Sequence, residues 1–415
     1  SDKTISVDGT LQDAYFPGLC EYLDEEGYEV VIIPNFYNLT LSSKEIQKRI
    51  NKSKYQFFIP ENYLTWNDYF NVLCVLVYQV VISRLNKVVH SGKDISKILT
   101  ETQRAGIFFS YTYIAQAFAL RNLSKIDFKI KSFIYTFENM FPEKPLSSAV
   151  KEYFPDTRAI GFQHSVLYPL QTCLYPSPQE WENMPLPDKI VCSGEFFLDI
   201  YKKHDAPIER LVSGPALRFK NLISKCEAAK EDFSQKVFYK NKILIVFPLA
   251  GSDALELAIK SSEAIKLLLD IRELKIGLKP HPMMSANKSK ILKSSFNGMM
   301  CGVEIIDKPM DEVLPQYSIL LTMASGVVFD GMIEGLPVIR VGRSNGLNFD
   351  PADFIENNPY NFKVQNVEQL NKMIRKLLLF DDEERLDILN YGRKFVKESF
   401  TPVSENTLQA FISTN

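Results

Sequence analysis

The sequence predicts an α/β protein of two Rossmann-like domains facing each other across a cleft. Three observations predict it. Strand-length apolar runs alternate with helical segments along almost the whole chain. The 415 residues exceed one ordinary α/β core, so two domains are expected. A charged stretch with little apolar period, residues 220–240, separates two such alternating halves. The expected division is residues 1–220, a linker at 221–240, a second domain at 241–400, and a final segment, 401–415, that could cross back to the first domain.

In the first half, residues 28–34 (YEVVIIP) form a β-branched run before Asn35 and read as a clear strand. Residues 65–85 read as a long helix with Asn67 or Asp68 as cap, and 103–123 as a second one. Residues 69–85 are the most apolar stretch; their polar interruptions make them marginal for a membrane span, and a buried core helix is expected. Strands follow at 129–136, 158–162, 189–192 and 210–212, with a helix at 195–203. They end at Phe137-Glu138-Asn139, Gln163-His164-Ser165, Ser193-Gly194 and Ser213-Gly214-Pro215.

In the second half, residues 242–248 (KILIVFP) start a new sheet, and a helix at 254–270 follows Gly251-Ser252-Asp253. Further strands read at 275–278, 303–306, 318–322 and 337–341, with short helices at 311–316 and 326–334. Residues 367–379 and 382–399 are helical. In open sheets of this kind ligands bind beyond the carboxyl ends of the strands, which is where His281, Ser325 and Asp330 fall.

Composition narrows the function. A net charge of −2 supplies no overall field toward nucleic acid or an anionic surface. Six scattered cysteines (Cys20, Cys74, Cys173, Cys192, Cys226 and Cys301) without a CxxC pair read as buried free thiols of a reducing compartment. No secretory signal is legible at the start; the first residue is Ser1 rather than Met, which fits a trimmed chain or an excised domain. The chain lacks GxxxxGK[ST], GxGxxG, zinc-ligand spacing, a GxSxG elbow and a DxD-like carboxylate pair, so no obligate metal site is expected.

Several polar groups stand at strand ends. In Lys279-Pro280-His281-Pro282 the two prolines forbid regular helix and fix a rigid turn around the imidazole, with Lys279 adding positive charge. That suits contact with a phosphate or leaving group; it also suits a histidine that caps a carbonyl. Met323-Ala324-Ser325-Gly326 lets backbone N–H groups approach an anion, and Ser325 can serve as a helix N-cap, a ligand donor or both. Asp330, or less readily Glu334, could accept from ribose hydroxyls or remain a solvated helix carboxylate. Glu138 is a natural general acid or base at a strand end, with Glu143 close by as an alternative. His164 could bind an acceptor or be a structural histidine. Asp253 either caps the helix after it or projects into the cleft as a carboxylate nucleophile.

At these residues the chain resembles bacterial surface-polysaccharide glycosyltransferases that use CMP-activated ulosonic acids. Lys279-Pro280-His281-Pro282 is similar to the HP motif of bacterial sialyltransferases and of capsule and O-antigen Kdo transferases, and Ser325 to the serine that partners it. Val328-Phe329-Asp330-Gly331-Met332 resembles a Kdo-transferase stretch with Glu where this chain has Asp330. Phe137-Glu138-Asn139 with Pro142-Glu143-Lys144 resembles an E-N-x-x-x-E-K pattern of a surface-polysaccharide family. The motifs cover mostly the second half. The chain departs from sialyltransferases in having Ser325-Gly326 for a doubled Ser/Thr, and Glu138-Asn139 for an acidic pair plus Gly.

The resemblance implies a GT-B fold, nucleotide on the second domain and acceptor on the first. It implies that His281 and Ser325, helped by Lys279 and Gly326, bind the CMP phosphate, and that Asp330 holds the ribose. Glu138 would act on the acceptor hydroxyl with His164 beside it, and Asp253 would carry any covalent sugar. The implied reaction is transfer of Kdo or a related ulosonic acid from CMP to capsule, O-antigen or lipopolysaccharide, without metal or further cofactor. The implied place is the cytoplasm or the cytoplasmic face of the inner membrane, alone or within a larger polysaccharide-assembly protein. Two other readings stand beside it: a CDP-polyol phosphotransferase of teichoic-acid type, and a non-catalytic glycan-binding module of the same fold.

Overall fold

The computed structural model describes residues 4–35, 41–85, 87–126, 128–228, 239–268, 271, 273–299 and 302–412. The first unit opens with α1 (Leu19–Glu25), β1 (Val31–Ile32), α2 (Ser43–Ile50) and β2 (Gln56–Phe57). The strand expected at 28–34 shrinks to β1, because its parallel partner β2 supplies only two residues. Next come α3 (Trp66–Leu85), the hairpin β3 (Val89–His90) and β4 (Lys93–Asp94), and α4 (Ser96–Leu123). The N-terminal box of α3 is made by Thr65 rather than by Asn67 or Asp68 as cap. The Thr65 hydroxyl accepts from the Asp68 N–H at 3.3 Å, and the Asp68 carboxylate accepts from the Thr65 N–H at 2.8 Å. Asp68 also pairs with Arg121 of α4 at 2.5 Å, tying the two helices together.

The expectation that residues 69–85 are a buried core helix is wrong on one side. Val72 and Leu76 pack on Ile114 and Ala115 of α4, but the opposite face is exposed. A helix apolar around its whole circumference reads as buried, and here only the inner side finds a partner. Among the described residues no helix is long and apolar enough to cross a membrane.

The main sheet of the first unit is parallel and sequential: β5 (Ser132–Thr136), β6 (Arg158–Gln163), β7 (Lys189–Cys192) and β8 (Leu211–Ser213). Between the strands run α5 (Glu143–Tyr153), α6 (Pro178–Asn183) and α7 (Glu195–Lys203). The stretch expected as a linker begins as α8 (Lys220–Ala228); residues 229–238 lie outside the described ones, as does Cys301. The other five cysteines are free, but Cys74 on α3 is exposed and Cys20 and Cys173 are half-buried, so the expectation of burial holds only for Cys192 and Cys226.

The second unit carries a six-stranded parallel sheet. Its strands are β9 (Lys242–Val246), β10 (Lys275–Lys279), β11 (Gly302–Ile305), β12 (Ile319–Thr322), β13 (Val338–Val341) and β14 (Lys363–Val364). They lie in the order β11-β10-β9-β12-β13-β14. This is the Rossmann order, with its switch point between β9 and β12. The helices are α9 (Gly251–Lys266), α10 (Ala286–Ser294), α11 (Met310–Val313), α12 (Val327–Ile333), α13 (Val367–Leu378), α14 (Asp382–Ser399) and α15 (Glu405–Leu408). The helix expected at 254–270 starts three residues earlier and stops at Lys266, and residues 269 and 270 lie outside the described ones.

One hydrophobic core joins the units. Phe137, Ile190 and Phe197 from the first share a cluster with Leu244, Leu320 and Phe329 from the second. Phe400, just after α14, sits at the hub: its ring lies 5.3 Å from Phe197, 4.8 Å from Phe219 and 5.6 Å from Phe329. The chain then runs back along the first sheet. Thr401 O accepts from Ala216 N–H at 2.9 Å, and Phe411, fully buried, packs on Phe162. Gly194 permits this approach, with φ of 139° and a hypothetical Cβ only 2.1 Å from Ser399 O.

Candidate functional site

After β5 the chain turns sharply at Glu138-Asn139, with Asn139 in the left-handed region at φ 53°. Glu143, the first residue of α5, clamps this turn by accepting from the N–H groups of Glu138 at 2.7 Å and Asn139 at 2.9 Å. Lys144 bonds the Asn139 side-chain oxygen, and Asn139 Nδ2 donates to Cys173 O at 2.6 Å. The E-N-x-x-x-E-K residues thus form one self-locked turn. Burial, reinforced by the Glu138 charge, lifts the Glu143 carboxyl to about 7.

The clamp leaves the Glu138 carboxyl free to face the end of β6. The Ser165 hydroxyl lies 3.4 Å and His164 Nε2 3.6 Å from its Oε1. Burial raises Glu138 above the ordinary carboxylate value, against the opposing effects of the Ser165 hydroxyl and Arg218. His164 is buried under the edge of Tyr15, and burial, then the nearby Arg218 charge, brings it down to about 4. It is therefore a neutral imidazole near pH 7.

Arg218 is the residue that sequence reading missed. It follows β8 by five residues, is exposed, and stacks its guanidinium over Tyr15 at 5.3 Å. Its charge acts on Glu138 and His164 of the first unit and on His281 of the second. Among the described residues it has no carboxylate in ion-pair contact. The signal was available: Arg218 stands beyond a strand's carboxyl end, as Glu138 and His164 do, three residues past Ser213-Gly214-Pro215.

On the second unit, His281 Nδ1 accepts from the Met283 N–H at 3.1 Å and His281 O accepts from the Met284 N–H at 2.8 Å. In the neutral ring this fixes the proton on Nε2, which is left as a donor. Burial and the Arg218 charge both lower its basicity. Lys279 turns aside, donating to Lys308 O at 2.6 Å beyond the end of β11. The Ser325 hydroxyl accepts from the Val327 N–H at 3.3 Å, so it caps the turn into α12. Gly326 lies under Val166 of the first unit, where a Cβ would stand 3.1 Å from the valine methyl. The units therefore meet between the β6 and β12 strand ends.

Asp253 differs from expectation, and Asp330 is perturbed by burial. Asp253 neither caps α9, whose N-cap is Ala250, nor stands free as a nucleophile; Arg343, partly exposed, holds its buried carboxylate through Nη2 at 2.5 Å. Arg343 comes back from the end of β13 to the first turn of α9, a closure that no sequence spacing reveals. Asp330 on α12 is raised to about 6 by burial, with the Lys225 charge opposing, while Lys225 itself bonds Glu334 at 2.8 Å. A small cavity at the ends of β12 and β13 is lined by Thr322, Ser325, Arg340, Arg343 and Phe349. Among the described residues no group of His, Cys, Asp or Glu has the spacing of a metal site.

No family model matches the sequence, and no curated protein is significantly similar to it. Solved structures are similar in fold. A mutant of Staphylococcus aureus TarM, in complex with fondaparinux, α-GlcNAc-glycerol and UDP, superposes with a TM-score of 0.52 at 11% identity, over 99% of this chain and 97% of that one. Acinetobacter baumannii MurG superposes at 0.50 and 9% identity, over 95% and 94%. These likenesses and the two wound parallel sheets of this chain give it the GT-B fold.

Proposed function

We propose that the chain is a glycosyltransferase that moves an anionic sugar, Kdo or a related ulosonic acid, from CMP to a bacterial surface glycan. The observation that carries this reading is Arg218. It is a cation with no carboxylate in ion-pair contact among the described residues, and its charge reaches a raised carboxyl on one unit and a neutral histidine on the other. A CMP-activated ulosonic acid has a carboxylate on its anomeric carbon, and its leaving group is the phosphate of CMP. Arg218 suits the first, and the His281 Nε2 proton suits the second.

Glu138 takes the proton of an acceptor hydroxyl, and the freed oxygen bonds the anomeric carbon. The bond from that carbon to the phosphate oxygen breaks, and CMP leaves as an anion stabilised by the His281 N–H, with Ser325 at the adjacent turn. His164 and Ser165 orient Glu138. Asp330 would hold the ribose. Because Asp253 is bound to Arg343, the proposed transfer is a single displacement, which inverts the anomeric centre.

The test is a thermal-shift panel with CMP, CDP, UDP and GDP, followed by turnover of CMP-Kdo. Stabilisation by CMP alone and inversion on transfer are expected. A shift with CDP alone would point to polyol-phosphate transfer. UDP or GDP would mean an ordinary sugar donor, as the UDP in the TarM structure illustrates. No shift at all would favour a glycan-binding module.

A further inference from the structure

The exposed face of α3 has a regular composition. Trp66, Phe70, Leu73, Val77 and Val81 recur at helical spacing along it, and Ile98 at the start of α4 is exposed as well; all six are between 47% and 89% exposed. Contiguous apolar exposure of this kind marks an interaction site. The charges beside it are mostly positive. Between Tyr69 and Thr100 the chain carries Arg84, Lys87, Lys93 and Lys97 against a single carboxylate, Asp94, which is occupied with the Ser96 N–H at 2.9 Å. The whole chain is slightly acidic, so this basic tip is local.

We infer that the α3–β3–β4–α4 hairpin docks on an anionic phospholipid surface, lying in the interface with the Trp66–Val81 stripe among the acyl chains and the lysines at headgroup level. An apolar stripe that ends in a cluster of cations matches a bilayer that offers both acyl chains and negative headgroups. Pairing of this face with a second copy would bury the stripe but give the four cations no partner. The inner side of the hairpin is anchored: Ala119, Leu120 and Leu123 of α4 pack on Ala149 and Val150 of α5, whose first residue clamps the Glu138 turn. Docking would therefore hold the proposed acceptor side of the cleft close to the membrane, so a lipid-borne acceptor is the natural substrate. That consequence rests on the transferase reading; the docking does not.

The experiment is co-flotation of the intact chain with phosphatidylglycerol–phosphatidylcholine vesicles and with pure phosphatidylcholine, while tryptophan emission is followed. Trp66 is exposed and Trp181 is buried, so a blue shift on binding reports Trp66. Flotation with the anionic vesicles only, with a blue shift, is expected. Partitioning should fall by about ten-fold or more in W66S/F70S/L73S and in K87E/K93E/K97E, with the melting temperature and the nucleotide shift unchanged. Three results overturn the inference: no flotation, equal flotation on neutral lipid, or a dimer in vesicle-free buffer that W66S/F70S/L73S dissolves, which gives the face to a second copy. A chain that floats but turns over no CMP-sugar keeps the docking and loses the transferase reading.

Discussion

Glu138 has the position a general base needs, with its backbone fixed by Glu143 and its carboxyl aimed at Ser165 and His164. Glu138→Gln should lower turnover by about 100-fold or more while leaving the melting temperature unchanged, measured by CMP release and calorimetry. The base must be ionised, so the acid limb of kcat/KM should lie above the ordinary glutamate value, in the direction of the shift at Glu138. Arg218→Ala should weaken donor binding and also raise the pKa of His281, because one of the two influences that lower it is removed; a proton NMR titration reads this directly. His164 tests the buried neutral imidazole. Its ordinary value of 6.5 falls to about 4 in the fold, so the unfolded chain binds more protons between these values and stability is lost as pH falls through that window. Glu143, lifted to about 7, acts the other way, so the comparison is between parent and His164→Gln, which should lack the histidine's acid-side loss of roughly 3 kcal/mol in urea titrations. At this scale the sequence exposed the strand-end positions, because a polar residue after an apolar run is a local pattern. It hid Arg218 and the Asp253–Arg343 pair, whose meaning depends on which strand ends become neighbours.

Elements with strong local signals came out where the pattern put them: β7 spans Lys189–Cys192, α7 spans Glu195–Lys203, and α14 runs Asp382–Ser399 behind the capping box of Asp381 and Glu384. The two-residue β14 carries too little pattern to read, and β1 is shorter than its apolar run because its length is set by the partner strand. Burial was harder still. The outer face of α3 and the exposed Cys74 follow from what packs against the helix, not from its own composition. The Glu143 clamp gives an element-scale prediction: Glu143→Ala leaves two N–H groups without their acceptor and should cost about 2–4 kcal/mol, with turnover falling through a displaced Glu138. Partial recovery of both in Glu143→Gln would separate a positioning role from chemistry.

At the scale of the whole molecule, the alternation of strands and helices was enough to indicate two wound sheets, and the GT-B fold confirms that architecture. What the pattern could not indicate is that both sheets share one core through Phe400 and its ring neighbours. Calorimetry should therefore show one transition, and Phe400→Ala, at a cost of about 3–5 kcal/mol, should lower it or split it in two. The return of the chain past Gly194, ending with Phe411 against Phe162, bears on the order of synthesis. The first sheet leaves the ribosome early, yet the aromatic ring that fills its interior is made some two hundred residues later. Until then the nascent first half has an open hydrophobic socket, and it reaches its final packing only after the second half has been translated.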